Sequence, residues 1–245
     1  MDFLRIVSSN IPATMSVTYS CVLTNKWSNA THPVDYPSIA GSAHWTDPVL
    51  VAHSGNYEVW SPTTFATPGV KAVAEGGITG ILQDEICLAQ YKGLAGEMVI
   101  GRNQFNRGDP PQVFESISLT PNFPYLSTIT MAGPSPDWFT GFYNVLPVDA
   151  QQFWYESFEI ETYPWDAGTE TGETYSISNL PEDPNVPIFR LTKDTVPASG
   201  ILLDPTGTEV LPVASWSCAL DSANPGIRNL VEEGSGKAAL RGARK

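Results

Sequence analysis

Histidine, cysteine and positive charge are all scarce in this chain. Its 245 residues hold three His, three Cys and 13 Lys and Arg against 26 Asp and Glu, for a formal net charge of -13. Four of the basic residues fall in the last nine, "KAALRGARK", which contain no acid. The body therefore carries nine bases against 26 acids, a net of -17. Such a surface repels phosphate backbones and excludes nucleic-acid binding through a basic groove. It favours cations instead.

The three cysteines, Cys21, Cys87 and Cys218, include no Cys-x-x-Cys pair, which argues against a zinc site or a redox motif. An odd count permits at most one internal bridge. Cys21 with Cys218, joining the two ends of the chain, is one reading, and three buried free thiols is the other. His44 and His53 lie nine residues apart, which is no helical metal-ligand spacing, and both stand among Trp and Tyr as packing residues do. No Gly-x-Ser-x-Gly elbow is present. "GSGK" at 234–237 is no phosphate loop, because Val231 and Ala238 stand where Gly and Ser or Thr are needed.

Long apolar runs are missing too. No stretch approaches the ~18–20 residues of a membrane helix, so no transmembrane segment is expected. The start, "MDFLRIVSSN", lacks the layout of a secretory signal, so the chain reads either as cytoplasmic or as a trimmed mature form. "NAT" at 29–31 fits an N-glycosylation sequon.

What is plentiful is turn and core material. Hydrophobic residues make up 42% and aromatics 11%, enough for a substantial core, and 21 Pro with 20 Gly imply many turns and few long helices. Residues 15–27 alternate through Val17, Tyr19, Cys21 and Leu23, a half-buried strand. One helical region stands out at 67–95. Thr67 offers an N-cap, Pro68 fits the first helical position, and Val70, Val73, Ala74, Ile81, Leu82 and Ile86 form one stripe. Gly76, Gly77 and Gly80 weaken it by roughly 1 kcal/mol each, which predicts a kinked helix or two short ones. Residues 97–112 read as a mobile connection. From 113 onward come "VFESISL", "LSTITMAG", "WFTGFYNVLPV", "FWYESFEIETY", "TYSISN" and "VPIFRLT", each a strand candidate between turns. The fold expected is mainly β, an antiparallel β-sandwich or barrel in a single domain.

Two segments combine acids with turn residues and aromatics. In "MAGPSPDWFTGF" (131–142), Pro134 and Pro136 stiffen the approach to Asp137 while Trp138 and Phe139 anchor the next strand. In "YPWDAGTETG" (163–172), Asp166 and Glu170 flank a Gly that allows a tight bend. Each alone reads as an ordinary turn or a solvated loop. Together they offer clustered oxygens to a hard cation, which for calcium means ~6–8 oxygen ligands.

These segments carry a resemblance. The chain resembles the spondin domain, the N-terminal module of F-spondin and mindin, through "YSCVLTNKWSNATHPVDYP", "AHW", "AHSGNYEVW", "GVKAVAEGG", "PSPDWFTG" and "YPWDAGTETG", in the family's order. The resemblance implies a β-sandwich like that of calcium-binding lipid-interaction modules, with a cation held by loops at one end. By position it implies Asp137, Asp166 and Glu170 as ligands of Ca2+, Glu170 standing where the family usually has Asp. It also implies a secreted, extracellular-matrix protein that acts in adhesion and recognition, with a matrix or cell-surface protein or glycan as partner. The organisation expected is an N-terminal extension (1–14), a spondin-like sandwich (15–220) and a disordered basic tail (221–245). The leading expectation is a non-enzymatic, calcium-binding adhesion or recognition domain. The alternatives are a carbohydrate-binding domain using Trp27, Trp45, Trp60 and Trp165 as platforms, and a hydrolase built on the same carboxylates.

Overall fold

The computed structural model describes residues 3–38, 42–105 and 109–221, so the C-terminal tail from residue 222 lies outside the described residues. The strands in chain order are β1 (Phe3–Pro12), β2 (Val17–Asn25), β3 (His44–Trp45), β4 (Val49–His53), β5 (Ala95–Ile100), β6 (Gln104–Phe105), β7 (Gln112–Leu119), β8 (Tyr125–Gly133), β9 (Trp138–Thr140), β10 (Phe153–Thr162), β11 (Pro164–Asp166), β12 (Glu170–Thr171), β13 (Leu180–Pro181), β14 (Phe189–Arg190) and β15 (Ala214–Leu220). Helices α1 (Pro68–Gly76) and α2 (Gly80–Tyr91) fall between β4 and β5.

One antiparallel sheet has the order β1-β10-β15-β2-β7. A second runs β14-β11-β9-β8-β3-β6, with β4 on β8 beside β3 and β5 beyond it. Side-chain alternation explains how they stack. Tyr19, Leu23, Phe114, Trp154, Phe158 and Trp216 of the first sheet pack against Leu50, Ala52 and Leu126 of the second. Val49, Val51 and Ile129, their alternate neighbours, face the other way, onto Val70, Val73 and Ile86 of the helices. The second sheet is thus covered on both faces, which is why all five residues of β4 are buried. Each large side chain buried this way contributes about 1.5–3 kcal/mol. The fold is the expected mainly β, antiparallel sandwich.

The helical region divides as its glycines predict. Thr67 caps α1, its side chain accepting from the Val70 amide at 3.1 Å. Gly77 ends α1 in the left-handed region at φ 66°, where an added Cβ would come within 2.2 Å of Thr46. α2 then packs on α1 through Leu82, Ile86 and Ala89.

Cys21 and Cys218 stand directly opposite each other on β2 and β15 and form a disulfide across 197 residues, while Cys87 is free and exposed. In the chain-entropy account, closing a loop of that length stabilises by about 5 kcal/mol. Three segments differ from their sequence readings. Phe3–Pro12, taken as an extension, pairs along β10 as an edge strand; its burial pattern is almost wholly exposed, so no alternation marks it. Ala95–Ile100 pairs with β4, although residues 97–112 read as a mobile connection and the helical region is expected to reach 95. "TYSISN" forms no strand, its backbone turning back at Ser176 on Thr174 with Ile177 left exposed.

Candidate functional site

The two acidic motifs meet because β9 and β11 are antiparallel neighbours. Asp166 pairs with Trp138, Trp165 with Phe139 and Pro164 with Thr140. The start of β9 therefore lies against the end of β11, and Asp137, one residue before β9, faces the loop leaving β11. Ser135 shapes the approach, its hydroxyl accepting from the Trp138 amide at 3.1 Å.

The loop then closes over Asp137. Oδ2 of Asp137 accepts from the Thr169 amide at 2.7 Å, the Thr169 hydroxyl at 3.2 Å and the Glu170 amide at 3.1 Å. The Ala167 amide donates to the Asp137 carbonyl at 3.2 Å. Gly168 makes the bend possible, with φ 70° and a backbone so close to Val186 that a Cβ would meet its carbonyl oxygen at 2.1 Å. Asp137 is completely buried, yet its other oxygen, Oδ1, has no hydrogen-bond partner among the described residues. A buried carboxylate oxygen without a donor costs free energy unless a proton or a cation supplies what is missing.

Asp166 is held less fully. Its Oδ1 accepts from the Gly168 amide at 2.8 Å and its Oδ2 from the Trp138 indole at 3.2 Å. Burial, and then the charge of Asp137, push its pKa up to about 7, beyond what those two donors offset. Burial also raises Asp137, against the donors from Thr169 and Glu170. Glu170 sits on β12, half-buried, with Oε2 accepting from Asn179 Nδ2 at 3.3 Å. Its pKa is raised by burial and by the charges of Glu75 and Asp137, and lowered by Asn179 and Lys71. Asp166 and Glu170 line a cavity of about 470 Å³ together with Glu173 and Glu182, and no basic residue lines it.

The sequence motifs did not point to two contributors. Glu75, near the end of α1 and 3.3 Å from Lys71, adds its field to both Asp137 and Glu170. Thr169 supplies two of the three hydrogen bonds to Asp137. Among the described residues, no three His, Cys, Asp or Glu side chains stand in ligating geometry. The histidines are packing residues. His53 bonds the Ser54 carbonyl and the Ser127 hydroxyl and stacks on Tyr125, and His32 bonds Thr31 and the Leu211 carbonyl. Trp27, Trp45 and Trp60 are buried in the cores, which leaves Trp165 alone of the four candidate platforms partly exposed.

Fold and site together define an antiparallel β-sandwich in which the loop leaving β11 closes over the buried Asp137 beside the partly buried Asp166. The chain belongs to the Spondin_N family, whose model matches residues 17–210. It is 33% identical over 202 residues to Spondin-1 of Homo sapiens, covering 80% of this chain and 24% of that protein. To Spondin-1 of Gallus gallus it is 32% identical over 200 residues. To Spondin-2 of Rattus norvegicus it is 30% identical over 174 residues, covering 71% of this chain and 52% of that protein. The chain thus spans about a quarter of the Spondin-1 proteins and about half of Spondin-2. Among the described residues, no helix is long and apolar enough to cross a membrane.

Proposed function

We propose that this chain is an extracellular, non-enzymatic recognition or adhesion domain that binds calcium through Asp137, Asp166 and Glu170. One observation carries the reading: the buried, partnerless Oδ1 of Asp137, beside a second carboxylate that burial and Asp137 together drive toward protonation. Calcium bound there would supply the positive charge that the site's own donors do not. The chain's residues do the rest. Thr169 and the Glu170 amide fix Asp137, the Trp138 indole and the Gly168 amide orient Asp166, and the Glu170 carboxylate accepts from Asn179 on the lining of the cavity.

Family membership and the Cys21–Cys218 bridge support an oxidising, extracellular setting. A matrix or cell-surface protein or glycan is the partner this implies. Asp137 is sealed from any substrate, so hydrolysis would rest on Asp166 and Glu170 alone, the two that line the cavity. Burial of three of the four tryptophans disfavours a carbohydrate platform.

The test is calcium titration of chelator-stripped protein, followed by calorimetry and by thermal melting. Binding at a hundredfold excess over Kd would stabilise by about 2.7 kcal/mol through mass action. At this chain length that raises Tm by roughly 5–10 °C. No heat and an unchanged Tm up to millimolar calcium would sink the proposal.

A further inference from the structure

The face of β11 and β14 opposite the acid cavity holds a feature that the calcium reading does not use. Trp165 of β11 is paired with Arg190 of β14, and Asp166 with Phe189. Alternation sends Asp166 and Phe189 to the acid cavity, and Trp165 and Arg190 to a separate pocket of about 120 Å³. Tyr143, Glu161 and Tyr163 also line that pocket.

Arg190 is unusual in so acidic a chain. Its guanidinium carbon lies 3.6 Å from the centroid of the Tyr163 ring, a cation–π contact that fixes the side chain. Among the described residues it forms no ion pair and no side-chain hydrogen bond, and its Nε is buried without a partner. The one carboxylate lining the pocket, Glu161, is already taken, since Lys26 Nζ lies 2.5 Å from its Oε1. The nearby Glu58 is engaged as well, accepting from Asn144 Nδ2 at 2.8 Å and the Ser61 hydroxyl at 2.9 Å. Tyr143 and Trp165 bring a phenol hydroxyl and an indole N–H to the lining, and neither group donates to another of the described residues. The pocket is therefore an aromatic recess with unused donors and one uncompensated, pre-oriented guanidinium.

We propose that this pocket recognises the carboxylate of an acidic side chain presented by a protein partner. The chemistry follows from the donor set. Guanidinium presents a planar fork that matches a carboxylate bidentately, and a carboxylate is an acceptor only. The recess of about 120 Å³ has room for a carboxylate and its neighbouring methylenes. A site built from one Arg and surrounding Tyr and Trp also has the composition of an interface anchor.

The experiment uses the full chain with nitrogen-15 labelling, following the Trp165 indole N–H signal by NMR during titration with N-acetylglutamate. N-acetylglutamine is the uncharged control, and glucuronate is the sugar carboxylate. N-acetylglutamate should shift the signal saturably, glutamine should not, and glucuronate should bind more weakly. Arg190→Gln should weaken binding by roughly tenfold or more, and Arg190→Lys should retain part of it, because charge survives while the fork is lost. The idea fails if N-acetylglutamate gives no shift, if the glutamine control matches it, or if glucuronate binds tighter. A folded Arg190→Gln protein that binds as well as the parent would also overturn it. Should that variant fail to fold, the three probes on the unaltered chain still decide the matter.

Discussion

Two loops of this molecule are spelled almost alike and behave in opposite ways. Residues 166–170 read Asp-Ala-Gly-Thr-Glu, and residues 204–209 read Asp-Pro-Thr-Gly-Thr-Glu. In the second loop, Asp204 accepts from the amides of Thr206, Thr208 and Glu209 at 3.1, 2.8 and 3.0 Å, and from both Thr hydroxyls. Those donors hold its pKa well below the usual carboxylate range. In the first loop the matching amides, Thr169 and Glu170, donate instead to Asp137 on the neighbouring strand. Asp166 keeps only Gly168 and Trp138 and is pushed up to about 7. One residue fewer in the turn, and a second carboxylate within reach, convert a self-satisfied loop into one that leaves Asp166 short of donors.

The largest effect should come from removing the shared acceptor. Asp137→Ala leaves the buried Thr169 amide and the Glu170 amide without a partner, at about 2–4 kcal/mol in total. That lowers Tm by roughly 5–15 °C, measurable by calorimetry or circular dichroism. Asp137→Asn keeps an oxygen for those amides, so it should fold normally while losing calcium binding. If Asp137→Ala melts like the parent, the closure of the loop over Asp137 is not what holds it.

Next comes Asp166→Asn, which removes the charge that the site tolerates least. In chelator its Tm should equal or exceed that of the parent above pH 7, and in calcium the gain on binding should be lost. The corresponding Asp204→Asn should do the reverse, lowering Tm equally with and without calcium. Identical behaviour of the two variants would erase the distinction between the loops.

The pH profile separates them again, more gently. The pKa of Asp166 is raised on folding from 3.8 to about 7, so its contribution is complete below 3.8 and is lost as pH rises through about 7. Asp204 is depressed on folding, so its contribution is present above 3.8 and is lost as pH falls below that value. Burial lowers His32 and His53 as well, and their contributions fade below 6.5, so the Asp166 effect is best read as parent minus Asp166→Asn. In chelator that difference should decline between about pH 4 and 7 and level off above, and saturating calcium should flatten it. A decline that persists in calcium would mean that the cation does not meet Asp166.

The contrast also marks what a single sequence reveals. Regular alternation exposed β2, β7, β8 and β10, and Thr67, Pro68 and the glycines placed two short helices, because these signals are local. β1 escaped notice because an edge strand exposed on both faces has no period to read, and β5 because only Ala95 of its six residues is fully buried. Asp137 and Asp166 could be picked out by the rigid Pro and aromatic residues around them. Which carboxylate receives the Thr169 and Glu170 amides depends on the register of β9 against β11, a long-range fact that near-identical loop letters cannot encode. Arg190 gave no local sign at all, since its significance lies in the Tyr163 ring and in the absence of a nearby free acid.

The smallest effect expected is at Glu170, and it tests how far the site departs from the family's pattern. Glu170 is half-buried on β12, and its carboxylate already spends one oxygen on Asn179 at 3.3 Å. Its backbone amide, which a side-chain change leaves in place, does the work of holding Asp137. Glu170→Gln should therefore leave Tm in chelator nearly unchanged and weaken calcium binding less than Asp166→Asn, a loss of severalfold against roughly tenfold or more. Glu170→Asp shortens the reach by one methylene and gives up Asn179, but it installs the residue that the resemblance implies at this position. Calorimetry on the pair ranks the two possibilities. If Asp binds calcium more tightly than Glu, the longer side chain is a weakening substitution. If Asp binds as poorly as Gln, the extra methylene is what lets this chain's backbone geometry deliver its third carboxylate.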